Sequence, residues 1–441
     1  MPKLKRELNV FYLVMIGIAN IIGAGIFVVS GVAAGIAGPS VVISFFIASL
    51  AALFTGLSLA ELSSAITQTG ESYTYSRKAF GNSIGFVVGL IKMMNNVLSV
   101  TAVTMGFSIF LISFFFPSLN SFIYLFTVSS LVILLSTYLN IVDISKMSKV
   151  ATFLTLVKIF AISFFITLGL FYVKDNFDPQ KLQPVFPNGL SGTFHAASMV
   201  FFAYIGFQVI AMATEEAKNP KRDIPAAILF SIFICYVLYS LVALVQVLVV
   251  DWQTLGKVEN SVLYVTQKIT DNYFVSLFMI FSILSAMLSV IITTIYSGSR
   301  LFFAFSRDGF IPKSLCEVDK KYKTPVKSIL LLSFMSILCL FINDINLLIS
   351  IVSFGYLLTF LLTNLSLIKL KKKIKPKFEL PFHPWIPILG AISTILLIIS
   401  LDNVAKIAGL AFVLLSFLIY FLFVKRKLDK NVFRSTHSQH F

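Results

Sequence analysis

The chain has 441 residues, of which 58% are apolar and 12% charged, and its mean hydropathy is +0.93. Soluble domains contain roughly 45–50% apolar and about 25% charged residues, so the composition excludes a soluble globular protein. It predicts a bundle of membrane spans, each of which needs about 20 apolar residues to cross the hydrocarbon core. Cys235, Cys316 and Cys339 have neither the spacing of a disulfide framework nor that of a metal site.

Hydropathy divides the chain into twelve candidate spans joined by short segments. Spans 1 to 6 are predicted at Val10–Ala34, Ser40–Ile66, Ser83–Phe114, Ser121–Asn140, Lys149–Val173 and Gly192–Thr214. Spans 7 to 12 are predicted at Pro225–Val250, Phe274–Phe305, Lys327–Ile342, Asn346–Ile368, Pro384–Leu401 and Lys406–Val424. Because no long polar segment interrupts them, we expect residues 1–441 to form a single all-α membrane domain.

The positive charge is distributed unevenly among these segments. The chain has 35 Lys and Arg residues and a formal net charge of +16. If the chain begins in the cytoplasm, 28 of these residues fall in inside segments, five in outside segments, and Lys92 and Lys158 within spans. This bias predicts a multi-pass protein of the cell membrane with both termini in the cytoplasm. The charge thus indicates topology, and we do not expect nucleic acid as a partner.

Span 1 contains closely spaced glycines near its middle, Gly23 and Gly25. Glycine destabilises a helix by about 1 kcal/mol relative to alanine, so the pair favours local unwinding. Non-helical backbone occurs at this depth only where it is buried or lines a wet cavity. The amides of Ala24, Gly25 and Ile26 would then open a second half-helix, whose positive end attracts a carboxylate. Close helix packing through small residues explains the same glycines, and span 1 alone does not decide between them.

Span 6 has a similar interruption in the segment Phe201–Gln208, where Gly206 lies near the middle of the span. Two interrupted spans at corresponding places in two halves of a chain are typical of transporters built from inverted repeats. Such a chain binds its substrate near the bilayer midplane, between the two breaks. The repeats are predicted at about 10–173 and 192–368, with two extra helices at about 384–424.

The chain resembles the amino acid–polyamine–organocation (APC) family of amino acid permeases in a series of motifs along its first ten spans. These are the segments 22–27 (IGAGIF), 60–62 (AEL), 70–75 (GESYTY), 202–207 (FAYIGF), 215–225 (EEAKNPKRDIP), 298–300 (GSR) and 306–312 (SRDGFIP). The resemblance implies the leucine-transporter fold, with five plus five inverted spans and two added helices, and secondary active transport of an amino acid or amine. Two residues depart from the family pattern: Glu71 replaces a usual glycine, and Gln208 replaces a carboxylate that several members have.

The resemblance also implies a substrate site at the two breaks. It assigns the substrate carboxylate to the amides of Ala24, Gly25 and Ile26. It assigns the substrate ammonium to backbone carbonyls of Ile21, Phe202, Ala203 and Ile205. Phe202 matches an aromatic gate over the ligand, although lipid or core packing explains a phenylalanine there equally well. Gln208 cannot titrate, which argues against the acid-activated arginine exchange of some relatives.

Lys158 lies near the middle of span 5, where a lysine costs about 2.5–3.5 kcal/mol on insertion scales and therefore needs a partner. The resemblance implies that it takes the place of the sodium ion of sodium-coupled relatives, with its ammonium against span 1 carbonyls. We hypothesise that Lys158 donates to carbonyls near Gly17–Asn20 when charged and releases them when it loses its proton. Snorkelling, an ion pair and a fixed structural ammonium are the alternatives.

Four further charged residues are candidate gating or structural charges. Lys92 in span 3 is predicted to pair with Glu61 in span 2, since consecutive spans run antiparallel and both residues lie toward the same end. Alternatively, Lys92 forms part of the wall of the substrate cavity. Glu215 and Glu216 at the end of span 6 can pair with Arg300 or Arg307. A rigid loop and a cytoplasmic gate are both compatible with these carboxylates.

The sequence therefore predicts a permease that imports an α-amino acid with a proton by alternating access. Exchange without ion coupling is the main alternative, and a non-transporting amino acid sensor is a lesser one. The spans contain no His-Glu-x-x-His motif and no pair of aspartates, so we expect no enzyme, no cofactor and no metal site. The expected partners are the amino acid, the proton and membrane lipid.

Overall fold

The computed structural model describes residues 6–116, 118, 121–142, 144–258, 260–401 and 403–425. The first half contains α1 (Val10–Ile21), α2 (Ala24–Ala37), α3 (Val41–Ala65), α4 (Ser72–Phe80), α5 (Asn82–Phe115), α6 (Phe122–Val142), α7 (Ile144–Asn176), α8 (Gly189–Phe201) and α9 (Val209–Met212). The second half contains α10 (Pro220–Val249), α11 (Trp252–Leu255), α12 (Ser261–Ile269), α13 (Tyr273–Arg307), α14 (Val326–Cys339), α15 (Ile345–Leu370), α16 (Trp385–Ser400) and α17 (Asn403–Ile419), which continues as a π-helix over Tyr420–Val424. The predicted all-α fold is confirmed.

The helices account for the twelve predicted spans. Within the described residues, nine helical stretches are long and apolar enough to cross a membrane, and three apolar helices are shorter. Span 1 comprises α1 and α2, and span 6 comprises α8 and α9. Spans 2, 3, 4 and 5 are α3, α5, α6 and α7, and spans 7 to 12 are α10, α13, α14, α15, α16 and α17. Helices α4, α11 and α12 lie in connecting segments that hydropathy does not single out.

The helix contacts have a twofold pattern that relates span n to span n+5. Span 1 packs against span 7, and span 6 packs against span 2. Span 3 contacts spans 9 and 10, and span 8 correspondingly contacts spans 4 and 5. This exchange is the packing expected of two five-span inverted repeats. Span 11 packs against spans 2 and 10, and span 12 packs against spans 3 and 10, outside this core. The assignment of the whole chain to one transport domain stays a prediction.

Side-chain oxygens cap the N-termini of several helices. The Asn9 side chain accepts a hydrogen bond from the Tyr12 amide at 3.0 Å, and Asp344 accepts one from the Leu347 amide at 3.0 Å. Such N-caps satisfy amides that have no partner within the helix. Just before span 1, Leu8 forms an isolated parallel bridge with Ala217, which follows span 6.

Span 5 shows how a span divides its faces between lipid and protein. Phe153, Phe160 and Phe171 are each about two-thirds exposed, at 66%, 64% and 68%. Thr155 and Lys158, which lie on the opposite face, are fully buried. Exposure of such phenylalanines to water would be unfavourable, whereas contact with the hydrocarbon core of a bilayer is favourable. The face of span 5 that carries Lys158 therefore points into the bundle.

The two broken spans contact each other through their backbones at the breaks. Gly206 has a φ of +147°, a conformation that L side chains rarely adopt. A Cβ atom on Gly206 would lie 2.6 Å from the backbone carbon of Asn20 and 2.6 Å from the amide nitrogen of Ile21. Backbone atoms cannot yield as the end of a side chain can, so this position requires glycine.

We expect Gly206→Ala to separate the two breaks and to lower the apparent melting temperature in detergent strongly. Gly81→Ala is the matched control, because Gly81 also has a positive φ of +92° but nothing lies within 4 Å of its would-be Cβ. The control isolates the backbone strain, roughly 1–2 kcal/mol. Equal losses of stability in the two variants would contradict a direct backbone contact.

Candidate functional site

A cavity of about 130 Å³ lies between the two breaks. Asn20, Ile21, Gly23 and Gly25 line it from span 1, and Phe202, Ala203 and Ile205 from span 6. Spans 3, 8 and 10 close the remaining sides with mostly aliphatic side chains, including Val103, Met287, Val290, Ile345, Ile349 and Val352. Polar groups come from Asn20, Ser99 and Tyr356. Among the described residues that line the cavity, none is acidic or basic.

The beginning of α2 presents backbone amides at one wall of this cavity. The helix starts at Ala24, and its N-cap residue Gly23 offers no side chain to cap the first turn. The first amides of a helix have no partner within the helix, so those of Ala24, Gly25 and Ile26 have no acceptor within α2. Gly25 also permits close contact with span 6, because a Cβ atom there would lie 3.1 Å from that of Ala203.

The end of α1 presents carbonyls, several of which already have donors. The amide of Gly23 donates to the Ile21 carbonyl at 2.9 Å. The buried hydroxyl of Tyr239 in span 7 lies 3.0 Å from the Ile21 carbonyl and 3.2 Å from that of Ala203, and donates toward both. A carbonyl oxygen has two lone pairs, so the Ile21 carbonyl is fully used. No sequence motif marks Tyr239, so this contact could not be predicted from the sequence.

Gln208 and Tyr356 support the break in span 6. The Gln208 side-chain oxygen accepts a hydrogen bond from the Gly206 amide at 2.9 Å. The hydroxyl of Tyr356 in span 10 lies within hydrogen-bonding reach of Gln208 and Ser99. The Gln208 side chain therefore satisfies a buried amide of the unwound segment, and Gln208 is not among the described residues that line the cavity.

Lys158 is fully buried against the end of α1. Its ammonium donates to the carbonyls of Ala19 at 2.8 Å and Ile22 at 2.5 Å, and to the Ser289 hydroxyl in span 8 at 2.9 Å. A helix C-terminus carries partial negative charge, which a cation stabilises. The three oxygens thus take up all three ammonium protons and replace the bonds that α1 loses where it unwinds.

The predicted pairing of Lys92 with Glu61 is wrong. Lys92 forms a fully buried ion pair with Glu71, just before α4. The main neighbours of span 2 are spans 6, 7, 10 and 11, whereas span 3 packs against α4 and spans 4, 8, 9, 10 and 12. Spans 2 and 3 are consecutive in the chain but are not main packing neighbours, because span 3 packs against span 8. Glu71 has a φ of +45°, so its pairing with Lys92 offsets strain at a position where glycine is usual.

Glu61 instead anchors the segment between spans 10 and 11. Its carboxylate accepts a hydrogen bond from the Lys371 ammonium at 2.7 Å and one from the Leu380 amide at 2.9 Å. One turn later, Ser64 accepts from the Phe378 amide at 3.2 Å. The fully buried Glu61 carboxylate therefore fixes the position of this connecting segment against span 2.

Glu215 and Glu216 form two ion pairs with span 8. Glu216 binds Arg300 at 2.9 Å and accepts from the Tyr296 hydroxyl, and all three side chains are almost fully buried. Glu215 binds Arg307 at 2.5 Å, with the two side chains 24% and 17% exposed. It also accepts from the Thr69 amide at 2.9 Å. We call this end of the bundle, with residues 69–78, 215–222 and 300–327, the basic end.

Helix α4 closes the basic end next to these pairs. The Tyr73 hydroxyl donates to Asp308 at 2.6 Å, and Arg77 forms an ion pair with the same carboxylate at 2.5 Å. Burial, and then the negative charge of Asp308, raise the pKa of the Tyr73 phenol well above its usual range. Tyr73 therefore stays neutral and remains a donor at any physiological pH.

Comparison with known proteins assigns the chain to a family. A family model described as "Amino acid permease" matches residues 12–440. The branched-chain amino acid permease BcaP of Bacillus subtilis (strain 168) is 34% identical, over 97% of this chain and 95% of its own length. The methylthioribose transporter of the same organism is 31% identical, over 96% and 94%. The vacuolar cationic amino acid transporter 4 of Arabidopsis thaliana is 29% identical, over 81% of this chain and 62% of its own.

The family match, the two broken spans and the cavity between them agree with the resemblance in the motifs. The family and its relatives are membrane transporters and not enzymes. The chain therefore belongs to the amino acid permeases of the amino acid–polyamine–organocation family, and it is an amino acid transporter of the cell membrane.

Proposed function

We propose that this permease carries neutral amino acids with aliphatic side chains. The observation that supports this is the cavity between the breaks, whose side-chain walls are mostly aliphatic and whose described lining residues include no charged group. A cationic or anionic substrate side chain would lose its hydration there without gaining a partner. The name of the Bacillus subtilis branched-chain amino acid permease agrees with this substrate class.

In the proposed complex, the broken helices bind the ends of the zwitterion. The amides of Ala24, Gly25 and Ile26 at the start of α2 receive the carboxylate. The ammonium donates to carbonyls of Phe202, Ala203 and Ile205 in span 6. Ile21 is a weaker candidate than the sequence analysis predicts, since its carbonyl has no lone pair left unless Tyr239 turns away.

Two side chains in the wall of the substrate cavity lie on a proposed entry route for the substrate. Phe202 and Ile205 line the substrate cavity and also a second cavity of about 350 Å³ beside span 11. Their side chains therefore separate the two spaces. We propose that rotation of Phe202 connects them, which is the role of an aromatic gate.

We further propose that Lys158 couples transport to the proton. Its ammonium binds the carbonyls of Ala19 and Ile22 at the end of α1 and the hydroxyl of Ser289 in span 8. Because burial disfavours a charge, deprotonation needs only the withdrawal of these oxygens. A neutral lysine would weaken the contact of α1 with span 8, leaving the hydrogen bonds of Asn20 to Thr293 and Thr294. Proton binding and the movement of span 1 are thereby linked, and the proposed result is symport.

The basic end supplies a proposed gate, in which the two ion pairs have different roles. Removing one partner of a fully buried pair costs about 3–5 kcal/mol, so Glu216–Arg300 is too costly to break in each cycle. A partly exposed pair contributes about 1 kcal/mol or less, so Glu215–Arg307 can open and hydrate. We assign Glu215 to the moving gate, and Glu216, with the Lys92–Glu71 pair, to a fixed hinge.

The proposed orientation places the basic end, and both termini, in the cytoplasm. The excess of Lys and Arg on that side supports this by the positive-inside rule. It follows that the described gate is the cytoplasmic one.

Uptake of labelled leucine into proteoliposomes, with a panel of competitors, tests the substrate class. We expect isoleucine and valine to compete, and alanine to compete roughly tenfold or more weakly, since each buried methylene contributes about 0.8 kcal/mol. Arginine, glutamate and methylthioribose should not compete. Competition by arginine as strong as that of isoleucine would overturn the proposal.

The same assay with an imposed pH gradient tests Lys158. We expect Lys158→Ala to lose gradient-driven accumulation, and Lys158→Arg to lose it too, because arginine keeps its charge throughout the cycle. Lys149→Ala, at an exposed position of the same helix, should behave as the parent protein.

Two outcomes would decide against proton coupling by Lys158. Accumulation retained in Lys158→Ala removes the lysine from the coupling mechanism. Accumulation restored by Lys158→Arg shows that a fixed cation suffices. Counterflow exchange of labelled leucine serves as the check that each variant is folded and binds substrate.

The gate is tested by the access of a membrane-impermeant maleimide to Ser99→Cys, in a background where the three native cysteines are serine. We expect Glu215→Gln to speed labelling from the basic end by about 5-fold, as a loss of about 1 kcal/mol predicts. Glu317→Gln is the matched control, because Glu317 pairs with Lys327 at 2.5 Å on the surface. Equal labelling rates in the two variants would contradict the gate.

A further inference from the structure

A groove of about 690 Å³ lies on the outer surface of the basic end, between the start of span 7 and the segment that joins spans 10 and 11. Lys221, Arg222 and Lys377 line its end. Phe230 and Phe233, which are 58% and 62% exposed, continue it along α10. The groove therefore has a cationic head and an aromatic wall that faces lipid.

The basic side chains of the groove lie in a region of positive electrostatic potential, which disfavours further positive charge. Lys221 and Arg222 occupy the first turn of α10, at the positive end of a helix of 30 residues. The one acidic residue of that turn, Asp223, is buried, and its carboxylate accepts from the Asn219 amide at 3.3 Å. In the described part of the chain, no ion pair includes Lys221, Arg222 or Lys377. An external anion would relieve this excess of positive charge.

The second wall of the groove is held in place from behind. Phe378 follows Lys377 and hydrogen-bonds to Ser64, and Leu380 and Lys371 both bind the buried Glu61 carboxylate. These contacts fix the segment against span 2, so the groove exists before any ligand binds. Glu379, which is exposed on this segment, is the acidic side chain nearest to Lys377 in sequence.

From this arrangement we propose that the groove binds an anionic phospholipid. The phosphate lies among Lys221, Arg222 and Lys377, and one acyl chain lies along Leu229, Phe230 and Phe233. Basic pockets beside membrane helices suit acidic lipid headgroups, and a neighbouring apolar wall at hydrocarbon depth distinguishes a lipid from a soluble anion. Because span 7 also carries Tyr239, which bridges the two breaks, the lipid stabilises the scaffold of the substrate site.

The thermal stability of the full-length protein in detergent, measured with added phosphatidylglycerol, tests the proposal. We expect phosphatidylglycerol to raise the melting temperature of the parent protein, and neither phosphatidylcholine nor inorganic phosphate to do so. The triple variant Lys221→Gln, Arg222→Gln, Lys377→Gln should lose this shift. The control Lys313→Gln, Lys320→Gln, Lys321→Gln removes three charges elsewhere on the basic end and should keep it.

Each other outcome overturns the proposal. An equal shift with inorganic phosphate indicates a site for a soluble anion, and an equal shift with phosphatidylcholine indicates a general lipid effect. Loss of the shift in both triple variants indicates attraction by net charge alone. If the groove variant does not fold, Phe233→Trp in the otherwise unchanged protein replaces it: brominated phosphatidylglycerol must quench the added fluorescence more strongly than brominated phosphatidylcholine.

Discussion

An α-helix that unwinds inside a membrane leaves carbonyls and amides without partners, and hydrocarbon offers none. In this protein that constraint governs the centre of the molecule. At the end of α1, the ammonium of Lys158 and the hydroxyl of Tyr239 supply the missing donors. At the start of α2, the N-cap residue Gly23 has no side chain that could accept from the first amides. In the proposed complex, the substrate carboxylate supplies the acceptors that the start of α2 lacks.

The breaks could be predicted from sequence because their causes are local. Gly23, Gly25 and Gly206 weaken a helix wherever they occur, and a lysine at mid-span needs oxygens wherever it points. The span 1 acceptors of Lys158 come from the family resemblance: of the observed partners, Ala19 lies in the predicted range Gly17–Asn20, whereas Ile22 and Ser289 lie outside it. The motifs then identified the fold, which local chemistry alone cannot do.

Other features depend on which helices become neighbours, which spacing along the chain does not encode. The order of spans 2 and 3 predicts a pair between Lys92 and Glu61, but the two-repeat architecture places span 3 beside span 8 and α4. Tyr239 was missed for the same reason: nothing in span 7 indicates that its hydroxyl reaches two carbonyls in spans 1 and 6. The residue type thus indicates that a buried polar side chain has a partner, but the partner's identity depends on the helix packing.

The bridge between Leu8 and Ala217 constrains how the basic end can move. Three main-chain hydrogen bonds join the two segments: the Glu7 and Leu8 amides donate to the Glu216 carbonyl, and the Lys218 amide donates to that of Leu8. Side chains can exchange such bonds for water one at a time, but a paired backbone separates only as a unit. The segment before span 1 and the segment after span 6 must consequently move together. Removal of the residues before span 1 would allow them to move independently.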